Sequence, residues 1–129
     1  MTARRRVILL VDGDIIIRHQ LSEYLRECGF TVIEASSGED AMRVLVMPEL
    51  RIELVLTDLA TTGGGFVLRQ WIMAANPGVT VMLAGSVDQA LSKAGDICND
   101  GPALVKPYEH HLVLERIKQA ISARDRQKV

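Results

Sequence analysis

Three charged side chains stand at the ends of short apolar runs. Asp12 closes Val7–Val11, Asp58 closes Ile52–Thr57 and Lys106 closes Ala103–Val105. Two carboxylates at close range repel each other. A hard cation such as Mg²⁺ relieves the repulsion, because it takes oxygen ligands and keeps several waters. A metal held in this way also screens the charge of an incoming phosphoryl group. A lysine ammonium adds a mobile point charge that can pair with a phosphoryl oxygen. The chemistry on offer is phosphoryl transfer to a carboxylate. Taken singly, Asp12 reads as a turn or cap residue and Lys106 as a solvated surface charge. The coincidence of all three carries the stronger reading.

Such a site needs elements to position it. A short apolar run bounded by turn residues reads as a fully buried strand. Val7–Val11, Phe30–Ile33, Ile52–Thr57, Val79–Ala84 and Ala103–Val105 are runs of that kind. Helical patterns lie between them. Asp14 caps a helix striped by Ile17, Leu21, Leu25 and Cys28 and stopped by Gly29. Ser36 or Ser37 caps a second helix, which carries Ala41 and Leu45 and ends before Pro48. Val67, Leu68, Trp71 and Ile72 mark a third, closed by Asn76-Pro77-Gly78. Ser86-Val-Asp-Gln89 fits a capping box that opens a fourth. Leu112, Leu114, Ile117 and Ile121 mark the last, ahead of a charged tail, Arg124–Val129, expected to fray.

Strict alternation of strands and helices implies βαβ units and a parallel sheet. The expected fold is a doubly wound α/β domain whose five parallel strands run in the order 2-1-3-4-5. In that order the first and third strands are neighbours. Asp12 and Asp58 then face each other at the switch point, where open sheets bind ligands.

Composition narrows the classes. At 129 residues, 48% hydrophobic but only 4% aromatic, the chain suits one domain with an aliphatic core. A net charge of -1 supplies no basic field for nucleic acid. No run approaches a membrane span, and Val7–Val11 is too short for a signal peptide despite Arg4-Arg-Arg6. A soluble cytoplasmic protein is expected. Cys28 and Cys98 lack metal-ligand spacing and read as reduced, buried thiols.

The segments Val11-Asp12-Gly13-Asp14, Leu54-Val-Leu-Thr-Asp58-Leu59, Met82-Leu-Ala84-Gly-Ser86 and Leu104-Val-Lys106-Pro107-Tyr108 form an ordered set. That set resembles the receiver domain of two-component response regulators, a flavodoxin-like three-layer sandwich. The resemblance runs from Arg6 to Ile121, so the whole of 1–129 reads as one receiver domain with its core at about 6–122. It implies that Asp58 accepts a phosphoryl group from the phosphohistidine of a sensor histidine kinase or phosphotransfer protein. It implies Mg²⁺ on Asp12, Asp58 and the Ala60 backbone carbonyl, with Lys106 beside them. It implies a cis Lys106-Pro107 bond and a homodimer paired through the last two helices. The chain would then be a phosphoacceptor rather than an enzyme, losing its own phosphoryl group slowly at most. It would bind neither nucleic acid nor membrane.

The sequence departs from the pattern at several positions. The second acidic residue of the first cluster is Gly13, which weakens the expected Mg²⁺ site. Asp14 is a substitute ligand, but its role as helix cap competes. Ala84 stands where the family has a Ser or Thr that reports the phosphoryl group, and Ala103 where it has a mobile aromatic. Thr62 replaces a proline, and Gly63-Gly-Gly65 reads as a flexible linker. Two outcomes follow. The chain is a phosphorylatable but atypical receiver, the preferred reading, or a pseudo-receiver that binds its partner regardless of phosphorylation.

Other classes fit less well. Asp12-Gly-Asp14 resembles the D-x-D of haloacid-dehalogenase-like phosphatases, but that reading leaves Asp58 without a task. A nucleotide or flavin site lacks a glycine fingerprint after the first strand. Ile15, Ile16 and Ile17 cannot all lie on one buried stripe. At least one should stay at the site's mouth beside Pro107 and Tyr108, forming a rim that docks a helical phosphodonor. These residues hold no output domain, so the chain acts alone or is cut from a larger regulator or hybrid kinase.

Overall fold

The structure, a computed structural model, describes residues 6–60, 64–85 and 104–127. Its elements in chain order are β1 (Val7–Val11), α1 (Ile15–Glu27), β2 (Thr31–Ala35), α2 (Gly38–Leu45) and β3 (Leu54–Asp58). They continue with α3 (Gly65–Ala75), β4 (Thr80–Gly85), β5 (Leu104–Val105) and α4 (His110–Gln127). The strands are parallel and form one sheet in the order β2-β1-β3-β4-β5, the expected doubly wound arrangement.

The period-2 pleat explains both faces of the core. Ile8 and Leu10 of β1, Leu54 and Leu56 of β3, and Met82 of β4 share a cluster with Leu21 and Leu25 of α1 and with Val113, Leu114 and Ile117 of α4. The intervening Leu9, Val11, Val55, Val81 and Leu83 pack with Ala41 and Leu45 of α2 and Leu68 and Ile72 of α3. Strands buried on both faces read as unbroken aliphatic runs, which is why they were visible in the sequence.

Several local expectations need correction. Leu112 is exposed and Val113 is buried in its place, so the inward stripe of α4 is Val113, Leu114, Ile117 and Ile121. Val67 also faces outward. Cys28 is exposed, because it is the C-cap of α1 and the chain turns away at Gly29, whose φ is +100°. Arg124 and Asp125 do not fray: α4 runs on to Gln127. The reason is Glu53, buried at the base of β3. Its carboxylate draws Arg6 to 3.0 Å and Arg124 to 3.2 Å, and Arg6 also pairs with Asp125 at 2.8 Å. The expected capping box at Ser86, together with Thr62, Cys98 and Ala103, lies outside the described residues.

Candidate functional site

The same pleat places the site. Asp12 continues the register of Ile8 and Leu10, Asp58 that of Leu54 and Leu56, and Lys106 that of Leu104. All three therefore belong to the α1/α4 face, at the C-terminal edge of the sheet. Val11 lies opposite Thr57 and Asp58 opposite Ala84, so the two acids are neighbours by one step of the ladder.

The Lys106 ammonium binds both carboxylates, 2.7 Å from Asp12 Oδ2 and 2.9 Å from Asp58 Oδ2. Asp12 is 1% exposed and Asp58 8%, so the acceptor candidate is not sealed off. Asp58 Oδ1 accepts a hydrogen bond from the Ala60 amide at 3.2 Å. Asp12 Oδ1 accepts one from the Asp14 amide at 2.9 Å. Burial alone would lower the lysine pKa, but pairing with Asp12 and Asp58 outweighs it and raises the value. Lys106 is thus a firm cation at neutral pH, bridging a pair whose mutual repulsion it offsets. The Lys106-Pro107 peptide is cis, as expected.

Two further groups are placed differently. The Asp14 side chain accepts from the Ile16 and Ile17 amides at 3.0 and 3.1 Å, so it acts as the N-cap of α1. Ala84 is fully buried beside Asp58, and its methyl offers no hydrogen bond to that neighbour.

Does this donor set suit a divalent cation? Asp12 Oδ2 is buried, and among the described residues its partner is the Lys106 ammonium at 2.7 Å. Such an oxygen beside a second carboxylate is a hard donor with spare capacity, and one or two carboxylates plus waters satisfy Mg²⁺. The residues fit a weakly held ion. A fuller cage is missing: among the described residues no group of three or more His, Cys, Asp or Glu surrounds a point that a metal could occupy.

Two contributors escaped the sequence reading. Gly65 is one. A Cβ there would lie 2.7 Å from the backbone oxygen of Asp58, so α3 seats directly against the end of β3 only because the residue is glycine. Gly65→Ala should destabilise the fold by about 1–3 kcal/mol through forced backbone movement, read as a shift in the urea midpoint. The second is Arg18, whose guanidinium reaches the Asp12 carbonyl at 2.7 Å. Neither leaves a signal in one sequence, since both depend on tertiary approach.

No family model matches the chain. It is 35% identical over 123 residues to the transcriptional regulatory protein GltR of Pseudomonas aeruginosa, covering 92% of this chain and 50% of that protein. Its fold superposes on the signal receiver domain of an HD domain-containing protein from Pseudomonas fluorescens with a TM-score of 0.82, at 25% identity and 95% and 98% coverage of the two chains. A response regulator receiver protein from Pseudomonas putida gives 0.78, at 27% identity and 92% and 99% coverage. The chain is a response regulator receiver domain. This receiver spans half the length of GltR. Among its described residues no helix is long and apolar enough to cross a membrane. The receiver keeps the sheet edge, both acids and the lysine in one cluster, and lacks a carboxylate at Gly13 and a hydroxyl at Ala84.

Proposed function

We propose that this receiver accepts a phosphoryl group on Asp58 from the phosphohistidine of a sensor histidine kinase or phosphotransfer protein. A carboxylate oxygen of Asp58 attacks phosphorus, the P–N bond breaks, and an acyl phosphate forms. The observation that carries this reading is the ammonium of Lys106 held 2.9 Å from Asp58 and 2.7 Å from Asp12. It balances the acids before transfer and is placed to pair with a phosphoryl oxygen afterwards. When bound on Asp12, Asp58 and the Ala60 carbonyl, Mg²⁺ supplies screening of the transferring phosphoryl oxygens. Mapping phosphoryl by mass spectrometry after treatment with a small acyl-phosphate donor tests the reading. Phosphoryl on Asp58 supports it; phosphoryl on Asp12 points to a phosphatase-like site.

The weakened metal site yields its own expectation. A Cβ on Gly13 would meet nothing closer than the Ser36 carbonyl at 3.8 Å, so position 13 accepts a side chain. Gly13→Asp adds an anionic ligand and should tighten Mg²⁺ by about tenfold in calorimetric titration. Unchanged affinity would place the ion elsewhere.

The docking face is the start of α1. Ile15 and Ile16 are 65% and 68% exposed. The hollow they line, about 620 Å³, is completed by Arg18, His19, Gln20 and Glu34; Pro107 and Tyr108 do not line it. An exposed apolar pair directly after the Asp14 cap suits a phosphodonor helix. Ile16→Asp should weaken that complex by about tenfold or more while the fold stays intact, measured by titration calorimetry. The same reading treats the chain as one receiver domain over 1–129, cytoplasmic, capable of pairing as a homodimer and without nucleic-acid or membrane binding of its own.

Ala84 favours a second reading. With a methyl opposite Asp58, position 84 offers no hydroxyl to report phosphorylation to the surface. A phosphorylation-independent interaction module fits that loss. Equal partner affinity of the phosphorylated and unphosphorylated chains would select it.

A further inference from the structure

We infer that Arg18 is a positioning residue for Asp12, and that Glu34 holds Arg18 in that task. This rests on the reading of Asp12 and Asp58 as the phosphoryl site. The Arg18 side chain is mostly buried against the turn after β1. One arm of its guanidinium donates to the Asp12 carbonyl at 2.7 Å, and its Nε donates to Glu34 Oε1 at 3.0 Å. The Asp12 amide is fixed from the other side by the Ala35 carbonyl at 3.1 Å. The carboxylate is fixed in turn by the Asp14 amide at 2.9 Å.

Both backbone polar groups of Asp12 are thus tied, and Arg18 supplies the tie from α1. A guanidinium suits the role because its planar fork serves two acceptors at once, which an ammonium cannot do with the same directionality. Glu34 is itself shared, with His19 Nδ1 at 3.2 Å and Arg26 Nη2 at 3.3 Å on its second oxygen. That leaves its first oxygen for Arg18. Arg18 and Glu34 also line the hollow beneath Ile15 and Ile16, so the clamp lies directly under the proposed docking face.

Loss of the clamp should let the Asp12 carboxylate drift, and misplacement of a reacting constellation by an ångström costs rate rather than binding. The test is the labelling of Asp58 by acetyl phosphate at several donor concentrations. Arg18→Ala should lower the maximal rate by about tenfold with the half-saturating concentration unchanged. Arg18→Lys restores the tie to the Asp12 carbonyl and should recover part of the rate. Arg26→Ala removes another guanidinium from Glu34 without touching Asp12, and serves as the control for stability; it should label at the wild-type rate. A second readout needs no phosphoryl transfer. The Asp14 amide proton, donated to Asp12 Oδ1, should exchange with deuterium faster in Arg18→Ala than in Arg26→Ala. Equal exchange and equal labelling in those two variants would overturn the positioning role. A wild-type chain that fails to label overturns the proposed function instead, and the exchange comparison still decides the clamp.

Discussion

Lys106→Met unfolds at markedly lower denaturant than the wild-type chain, with a loss of about 3–5 kcal/mol, the range for breaking a buried ion pair by removing one partner. The size of the effect comes from what is left behind. Asp12 is 1% exposed and Asp58 8%, and the ammonium is the cation seated between them. Without it two buried carboxylates confront each other with no counter-charge seated between them among the described residues. Methionine keeps the apolar stem, so packing changes little. The repulsion is relieved if one acid is neutralised, so Lys106→Met combined with Asp58→Asn should regain much of the loss. Two changes that nearly cancel are the signature of coupling within one cluster. Urea denaturation of the four proteins in the cycle measures it; additive effects would show that the three groups are not energetically joined.

The pH dependence follows from the same contact. The folded-state pKa of Lys106 lies above its unfolded value. Its contribution is therefore complete below the unfolded pKa and is lost only as pH rises through the folded one, in the alkaline range. Glu34 behaves in the opposite sense. Burial works to raise its pKa, but Arg18, His19 and Arg26 outweigh that and lower it. Its contribution is present above the unfolded carboxylate value and disappears as pH falls through the depressed one. Stability should be flat across neutral pH with respect to both groups.

The second large effect concerns chemistry rather than stability. Asp58→Asn abolishes phosphoryl uptake, because an amide oxygen is a poor nucleophile and cannot form a stable acyl phosphate. One contact survives the change and one does not: the new amide nitrogen faces the Lys106 ammonium where Asp58 Oδ2 stands at 2.9 Å. An asparagine oxygen can still accept from the Ala60 amide, as Asp58 Oδ1 does at 3.2 Å. Asp12→Asn leaves the nucleophile in place and only weakens the electrostatic surroundings. It should slow labelling by about a hundredfold, the scale of losing one preorganised electrostatic contact. The contrast between loss and slowing assigns the roles of the two acids.

Much of this architecture was legible in the residues. The aliphatic runs of β1, β3 and β4 were legible because parallel strands buried on both faces carry few polar interruptions, whereas the edge strands β2 and β5 are only partly buried. Asp14 was legible as a cap because its acid precedes an apolar helix, and Gly29 as a stop because its φ is positive. Strand ends were less legible. Asp58 belongs to β3 because its ladder to β4 continues as far as Ala84, a fact of pairing rather than of composition. The clustering of Asp12, Asp58 and Lys106 followed from strand order once alternation was recognised. Arg18 did not, because its two acceptors lie on β2 and in the turn after β1, and only packing of α1 brings them together. The tail was misread for the same reason. Arg124 and Asp125 look like solvated charges until their distant partners are seen: Glu53 for Arg124 and Arg6 for Asp125. Gly65 looked like linker material, whereas the close approach of α3 to Asp58 demands it.

The most direct measurement is Mg²⁺-dependent labelling of the wild type and Asp58→Asn by a small phosphodonor, read as intact mass. The account predicts phosphoryl on the wild type, none on Asp58→Asn, and none on either once Mg²⁺ is chelated. Equal labelling of the two proteins, or none on the wild type at saturating donor and Mg²⁺, would contradict it.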